Sequence, residues 1–402
     1  MVPCLLSLGT SVGCFPKIPD PAEDEPAAKG CGLTGTVLYV DAAAEAGGDG
    51  SESTPFQVLD DALAELAPGV SICIRAGTYA GEFALDTNGT AQAPVVVAGF
   101  PGEDVILEAE AGKSVAHVLG IGGSYTTVRN LTVQGGDGGL LVYQTDHATV
   151  TRVRSRYNRR IGFNVQSASD VIVEDCLAHD NVTVGVSDTG IGFNATGTNV
   201  LLRRNVAHNN LHRGYHLSTG TTLENCVAFD NGTALDKPSG TTQTGVGIGF
   251  YAGKGVRIVR SIGFDNSSSA FRSSGGSDGG WDNCTALRNQ FSYSFETAST
   301  TNFAIRNCLS VDGSLNLPDP PALPQSSNSW QAGIGGDVVI STKPPDPAEL
   351  WQATGSPWTP FEESDFLKPK PGSAIIDAGE VIPDRPSDYE GSAPDLGAFE
   401  AN

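Results

Sequence analysis

The chain has 402 residues and a formal net charge of −22, yet only 17% of its residues are charged. A surface polar mainly through Ser, Thr, Asn and Gly, and acidic overall, argues against nucleic acid as a partner. No segment approaches the ~20 consecutive apolar residues that a membrane-spanning helix requires.

Taken in chain order, Val2–Gly13 is weakly apolar and runs into Cys14, the pattern of a lipoprotein-type leader. The usual basic start is missing, and Ser11 stands where an aliphatic residue is common. Residues 15–30 are acidic and proline-rich and read as a flexible tether. Export to the cell surface or medium is therefore expected, with Cys14 a candidate lipid anchor. Residues 31–313 form the repeating body, and Leu33–Ala111 supplies its early strands, among them Ser71–Arg75 and Pro94–Ala98. Cys31 and Cys73 flank the first strands and are a natural pair in an oxidising compartment. Ser53-Thr54-Pro55-Phe56 offers a cap and a first-turn proline for a helix near Phe56–Leu66. Leu59, Leu63 and Leu66 would cover the open end of the rod.

From about Thr126 a phrase recurs: a branched apolar run, a two-residue polar bend, a small residue, an alanine-like residue, then Asn. It reads V-I-V-E-D-C-L-A-H-D-N over Val171–Asn181 and T-T-L-E-N-C-V-A-F-D-N over Thr221–Asn231. Copies begin 21 to 35 residues apart. Short period-2 segments repeated at that length predict one coil of a solenoid per copy, hence an all-β parallel β-helix with an N-terminal capping helix. Cys176, Asn205, Cys226, Ser261, Cys284 and Cys308 then share one inward position. These thiols read as buried and inert, although Cys284 and Cys308 lie in adjacent coils and would be near enough to bridge. Beyond about Ser314, residues 314–402 are rich in Pro and Trp and predict irregular segments packed on the last coils.

A second series follows each phrase: Gly162-Phe163-Asn164, Gly192-Phe193-Asn194, Gly214-Tyr215-His216, Gly249-Phe250-Tyr251, Ala270-Phe271-Arg272 and Ser294-Phe295-Glu296. If the aromatic residues point inward, period 2 sends the next residue outward. Asn194, His216, Tyr251 and Arg272 should then line one exposed face, with Glu296 at its far end. Eleven arginines from Arg152 to Arg272 suggest a basic belt suited to an anionic glycan.

The order of these coils resembles the pectate-lyase-type, family 9 polysaccharide lyases, which are right-handed parallel β-helices. D-T-G-I-G-F-N-A (Asp188–Ala195) is similar to the family's D-x-A-D-G-F-x-A. N-L-H-R-G-Y-H-L (Asn210–Leu217) lies where the family has N-S-D-D-G-W-D-L, and G-V-G-I-G-F-Y-A-G (Gly245–Gly253) where it has G-N-G-F-K-L-G. The ending S-A-I-I-D-A-G … P-D-L-G-A-F-E is similar to a closing signature of exported β-helix proteins. The resemblance implies an aspartate cluster that holds calcium against a uronate carboxylate, and a lysine that removes the adjacent proton. Here Asp188 stands in the aspartate cluster, but His212, Arg213 and His216 replace its other members and Tyr251 replaces the lysine.

One carboxylate beside imidazoles and a guanidinium is a poor calcium ligand set, so no metal or other cofactor is expected. The alternative chemistry is metal-independent β-elimination of an acidic polysaccharide. Arg213 and Arg272 would hold the carboxylate, with Asn194 and Asp188 also binding substrate. His216 or His212 would act as base, and Tyr251 as acid or base if arginines lower its pKa. A glycosidase would need two flanking carboxylic acids, which the column lacks. A non-catalytic structural or adhesive rod with a degenerate site is the reading from another class. The chain is expected to be a monomer.

Overall fold

A computed structural model describes residues 31–182, 189–236, 240–275, 278–297, 302–318, 323–351, 355–383 and 389–401. Nearly all strands belong to one 26-stranded sheet in which every pairing between named strands is parallel. Its ladders wrap into three faces. One runs from Thr36–Val40 through Val70–Ile74 and Val95–Gly99. A second includes Leu177–His179, Val206–His208, Val227–Phe229 and Ile262–Phe264. The third, which carries the predicted site, stacks Gly138–Tyr143, Ile161–Glu174, Ile191–Arg203, Arg213–Leu217, Ile248–Ala252 and Ser269–Ser273. This is the β-helix that the repeat predicts.

The polar bends work through backbone conformation. Asp175, Arg204, Asn225, Arg260, Asn283 and Asn307 all have φ between 46° and 54°. Asn and Asp tolerate this left-handed region through local hydrogen bonds, which explains most of the residue choice at the corner.

The coil-ending asparagines form a buried ladder. Asn158 Nδ2 donates to Asn181 Oδ1 at 3.0 Å, Asn181 to Asn210 at 2.8 Å and Asn210 to Asn231 at 3.1 Å. Asn231 continues it to Asn266 at 2.8 Å and Asn266 to Asn289 at 3.1 Å. Each side-chain oxygen also accepts the backbone N–H of the preceding asparagine. The ladder thus satisfies polar backbone groups that strands cannot reach at the corner.

The small inward column does the same at another bend. Cys176 N–H donates to Asn205 Oδ1 at 2.9 Å, and Cys226 N–H to Ser261 Oγ at 3.2 Å. Cys284 and Cys308 are free buried thiols, with Cys284 N–H directed at Cys308 Sγ at 3.4 Å rather than a sulfur–sulfur bond. Burial pushes the Cys226 thiol up to about 12, so it stays neutral and inert. Cys31 and Cys73 form a disulfide with Cα atoms 5.7 Å apart.

The first helix is shorter than predicted. It spans Leu59–Ala64 with Val58 at its N-cap, and buries Leu59 and Ala62. Thr54 is not its cap: the Thr54 hydroxyl instead bonds Asp49 within the preceding loop, and Phe56 bridges to Val40. Leu63 and Leu66 pack against the core edge.

The C-terminal segment lies on the second face. Val338, Trp358, Phe361, Phe366, Ile375 and Leu396 join Val206, Phe229, Phe264 and Leu309 in one apolar cluster. It is tied down by polar bonds to the coil corners. Glu380 N–H donates to Asn307 Oδ1 at 2.8 Å, and Asn283 Nδ2 donates to Asp395 O at 3.1 Å.

Candidate active site on the third face

Six aromatic rings stack through the rod beneath the predicted column. Phe163, Phe193, Tyr215, Phe250, Phe271 and Tyr293 follow one another at centroid separations of 4.7 to 5.1 Å, with planes within 10°. The sixth member differs from the expectation. Phe291, Tyr293 and Phe295 alternate in one strand, so the sequence alone admits more than one register. Tyr293 takes the place because its hydroxyl bonds Cys284 O at 2.8 Å and Leu309 O at 3.2 Å. Tyr215 makes the equivalent pair of bonds to Asn205 O and Val227 O.

The stack fixes the outward column. Asn164 pairs with Asn194, Asn194 with His216, His216 with Tyr251, Tyr251 with Arg272, and Arg272 with Ser294. Asn194, His216, Tyr251 and Arg272 are all half-buried, with side chains reaching the surface. Asn194 Nδ2 donates to Asn164 Oδ1 at 2.8 Å. The His216 and Tyr251 rings meet edge to face with centroids 5.2 Å apart. Arg213, three residues before His216, lays its guanidinium 4.5 Å from the Tyr251 ring centre.

Glu296 is not the last rung of this column, since Ser294 occupies it. Two residues further on, Glu296 reaches back across the column. Its Oε2 accepts the Tyr251 hydroxyl at 3.1 Å, and its Oε1 lies 3.1 Å from Arg272. Sequence reasoning gave Glu296 no role, because its position depends on the register that the aromatic-rich strand leaves open.

The electrostatics of Tyr251 run against the expectation that arginines lower its pKa. Burial and the Glu296 carboxylate raise it, and the Arg213 charge offsets this only in part. The phenol is therefore a proton donor at neutral pH rather than a phenolate base.

His212 sits four residues before His216, at the corner where the third face begins. It is nine-tenths buried, and its Nδ1 has no hydrogen-bond partner. Its chain neighbour Leu211 forms a small buried cluster with Val182 and Ala234. Thr233–Asp236 and Thr241–Thr244 pair as an antiparallel hairpin, the insertion that lengthens this coil. Asp188 lies outside the described residues.

The predicted basic belt is dispersed. Arg203 and Arg204 bond Glu174 and Asp175 at the bends. Arg257 faces Asp282, and Arg154 packs over Trp351 of the C-terminal segment. Of the arginines in that belt, Arg213 and Arg272 are the two placed at the His216–Tyr251 cluster.

The residue types brought together here differ from a calcium ligand set. Hard cations require several oxygen ligands, whereas an imidazole and two guanidinium groups meet around Tyr251. Glu296, the carboxylate that meets this cluster among the described residues, is engaged by Arg272 and Tyr251. Among the described residues no group of three or more His, Cys, Asp or Glu is arranged to hold a metal ion.

Comparison with known proteins identifies the family to which the fold belongs. The chain is 25% identical over 406 residues to pectate lyase L of Dickeya dadantii (strain 3937), covering 92% of this chain and 91% of that protein. It is 25% identical over 371 residues to pectate lyase L of Paenibacillus polymyxa (strain SC2), covering 80% and 79%. Among solved structures it superposes on pectate lyase Pel9A with a TM-score of 0.79 at 23% identity, covering 92% and 98%. A rhamnogalacturonan lyase superposes with a TM-score of 0.69 at 19% identity, covering 79% and 92%. Residues 38–307 match the family described as Pel9A-like, right handed beta helix region, and the chain belongs to that family.

Proposed function

We propose that this protein is an exported polysaccharide lyase that cleaves a uronate-containing chain by β-elimination without a metal ion. The observation that carries the reading is the cluster of Arg213, His216, Tyr251, Arg272 and Glu296 on consecutive rungs of one face. The relatives named pectate lyase support the polysaccharide class. The Cys31–Cys73 disulfide supports an oxidising compartment. The leader-like segment ending at Cys14 lies outside the described residues. Among those residues no helix is long and apolar enough to cross a membrane.

β-Elimination needs charge on the substrate carboxylate neutralised, the adjacent C–H proton removed and the leaving oxygen protonated. Arg272 and Arg213 supply positive charge, and a guanidinium can bind a carboxylate through two parallel bonds. His216 accepts the carbon-bound proton in its neutral form. The C–H electron pair becomes the new double bond as the C–O bond breaks, and Tyr251 delivers its hydroxyl proton to the departing oxygen. Asn194 holds a hydroxyl on the neighbouring ring. Glu296 presents a carboxylate to Arg272 and Tyr251 in the resting site, so an entering uronate group competes for the same two donors.

A panel of pectate, alginate, heparin-like and chondroitin-like polymers, with and without chelator, tests this by the ultraviolet absorbance of the unsaturated product. Product formed with chelator present and lost in His216→Ala or Tyr251→Phe supports the reading. Binding with no product from any polymer points to a carbohydrate-binding rod. Neither binding nor product points to a structural surface protein.

A further inference from the structure

The third face continues beyond the reacting cluster toward the N-terminal end of the rod, and its residue types change there. Continuing the column backward from Asn164 gives Leu141 and then Gly120. Leu140 and Val142 are buried inward, while Tyr143 is 42% exposed on the outer surface. The neighbours of Tyr143 on the C-terminal side are Gln166 and then Thr196. Tyr143 thus presents a large exposed aromatic side chain on a parallel sheet, next to an amide and a hydroxyl.

Gly120 provides a second, independent observation. A Cβ at that position would meet nothing closer than the Phe83 carbonyl oxygen at 3.9 Å. Its φ lies outside the left-handed region, so neither backbone conformation nor packing demands glycine there. The result is an open floor one rung beyond Leu141, which itself lies two residues before Tyr143 on its strand. On the side facing His216, Leu141 is followed by Asn164, which accepts a hydrogen bond from Asn194.

We propose that Gly120, Leu141, Tyr143 and Asn164 form a sugar subsite that holds a pyranose ring of the same polysaccharide, remote from the bond being cleaved. This rests on the polysaccharide reading above. Leu141 lies three rungs from His216, which places the subsite roughly 14 Å from the reacting cluster. The apolar face of the ring packs on Tyr143 and Leu141, its hydroxyls meet Asn164 and Gln166, and the absence of a side chain at Gly120 leaves room for it. The energetic consequence is length dependence: a chain that reaches Tyr143 gains contacts that a shorter one cannot make.

The test uses the full chain carrying His216→Ala, with polygalacturonate, rhamnogalacturonan and alginate oligomers of increasing length as probes in calorimetric titration. For a polymer that binds, the parent should show a gain in affinity once the oligomer is long enough to reach from His216 to Tyr143. Tyr143→Ala should reduce affinity for the long oligomer about tenfold. Gly120→Val, whose Cβ meets nothing closer than 3.9 Å, should do the same by filling the floor. Thermal melting of both variants reports whether they remain folded. Long oligomers that bind both folded variants as tightly as the parent would overturn the subsite while leaving the lyase reading intact. Length-dependent binding lost in both variants, together with no product from any polymer when His216 is intact, would support the subsite and count against the lyase reading. No binding of any polymer would overturn both.

Discussion

The Tyr251 hydroxyl donates to Glu296 Oε2 at 3.1 Å, while Oε1 of the same carboxylate lies 3.1 Å from Arg272. One protein carboxylate thus bridges the proposed proton donor and one of the arginines that would receive substrate. A negative charge beside a phenol opposes phenolate formation, which is one cause of the raised Tyr251 pKa. Glu296→Gln is expected to lower it and to leave Arg272 without its internal counter-charge. Spectrophotometric titration should show one tyrosine ionising at lower pH than in the parent, and affinity for uronate oligomers should rise severalfold. An unchanged titration together with unchanged affinity would show that the bridge has no influence on the site.

Metal dependence is the second prediction. Chelator-treated protein titrated with calcium should show no tight site on the third face, and product formation should be unaffected by chelator. The cause is the exchange of acidic ligands for His212, Arg213 and His216, which offer no hard oxygen donors. Saturable calcium binding abolished by Asp188→Ala would contradict this.

A third prediction concerns the asparagine ladder. Asn210 Nδ2 donates to Asn231 Oδ1 and to Ala178 O, and its Oδ1 accepts from Asn181. Asn210→Ala removes these bonds and strands buried partners on both sides. The expected loss is about 3 kcal/mol or more, read as a shift of the denaturant midpoint at constant slope. Asn210 opens the segment that carries His212, Arg213 and His216, so catalysis and stability should fall together.

The fourth prediction is a pH dependence of stability. His179 and His208 stack with centroids 5.0 Å apart, and His208 continues onto Phe229 at 4.8 Å. Burial lowers both pKa values, with His208 brought to about 4. Asp180 opposes the shift in both, while Arg154 and Arg156 reinforce it for His179. Above pH ~6.5, where imidazole is neutral in both folded and unfolded chains, the pair exerts no pH effect. As pH falls below that value the unfolded chain takes up protons that the folded chain excludes, so stability falls. For His208 the loss is on the order of 2–3 kcal/mol by pH 4 and then levels off. His208→Phe, which extends the Phe229–Phe264 stack, should flatten the melting-temperature profile between about pH 6.5 and 4. A profile as steep as the parent's would assign the effect to other groups.

Much of this architecture was legible in the residues because it repeats. The run from Phe163 to Phe271 declares its own register, and alternation then places Asn194, His216, Tyr251 and Arg272 on the surface. What repetition does not determine was not legible. Phe291, Tyr293 and Phe295 present three aromatics in one strand, and only the hydroxyl bonds of Tyr293 select among them. The position of Glu296 follows from that selection. The arginines at the bends look like one belt in sequence, but Arg203 and Arg204 turn to carboxylates one coil away. The recurring terminal Asn was visible as a letter. Its function as a buried hydrogen-bond ladder required knowing which way the corner turns.

The most direct test of the account is product formation by the parent protein on pectate and the other acidic polymers in the presence of chelator. The account predicts an unsaturated product, strongly diminished in both His216→Ala and Tyr251→Phe while the folded state and polymer binding persist. Product that requires added calcium, or that survives both substitutions undiminished, would contradict it.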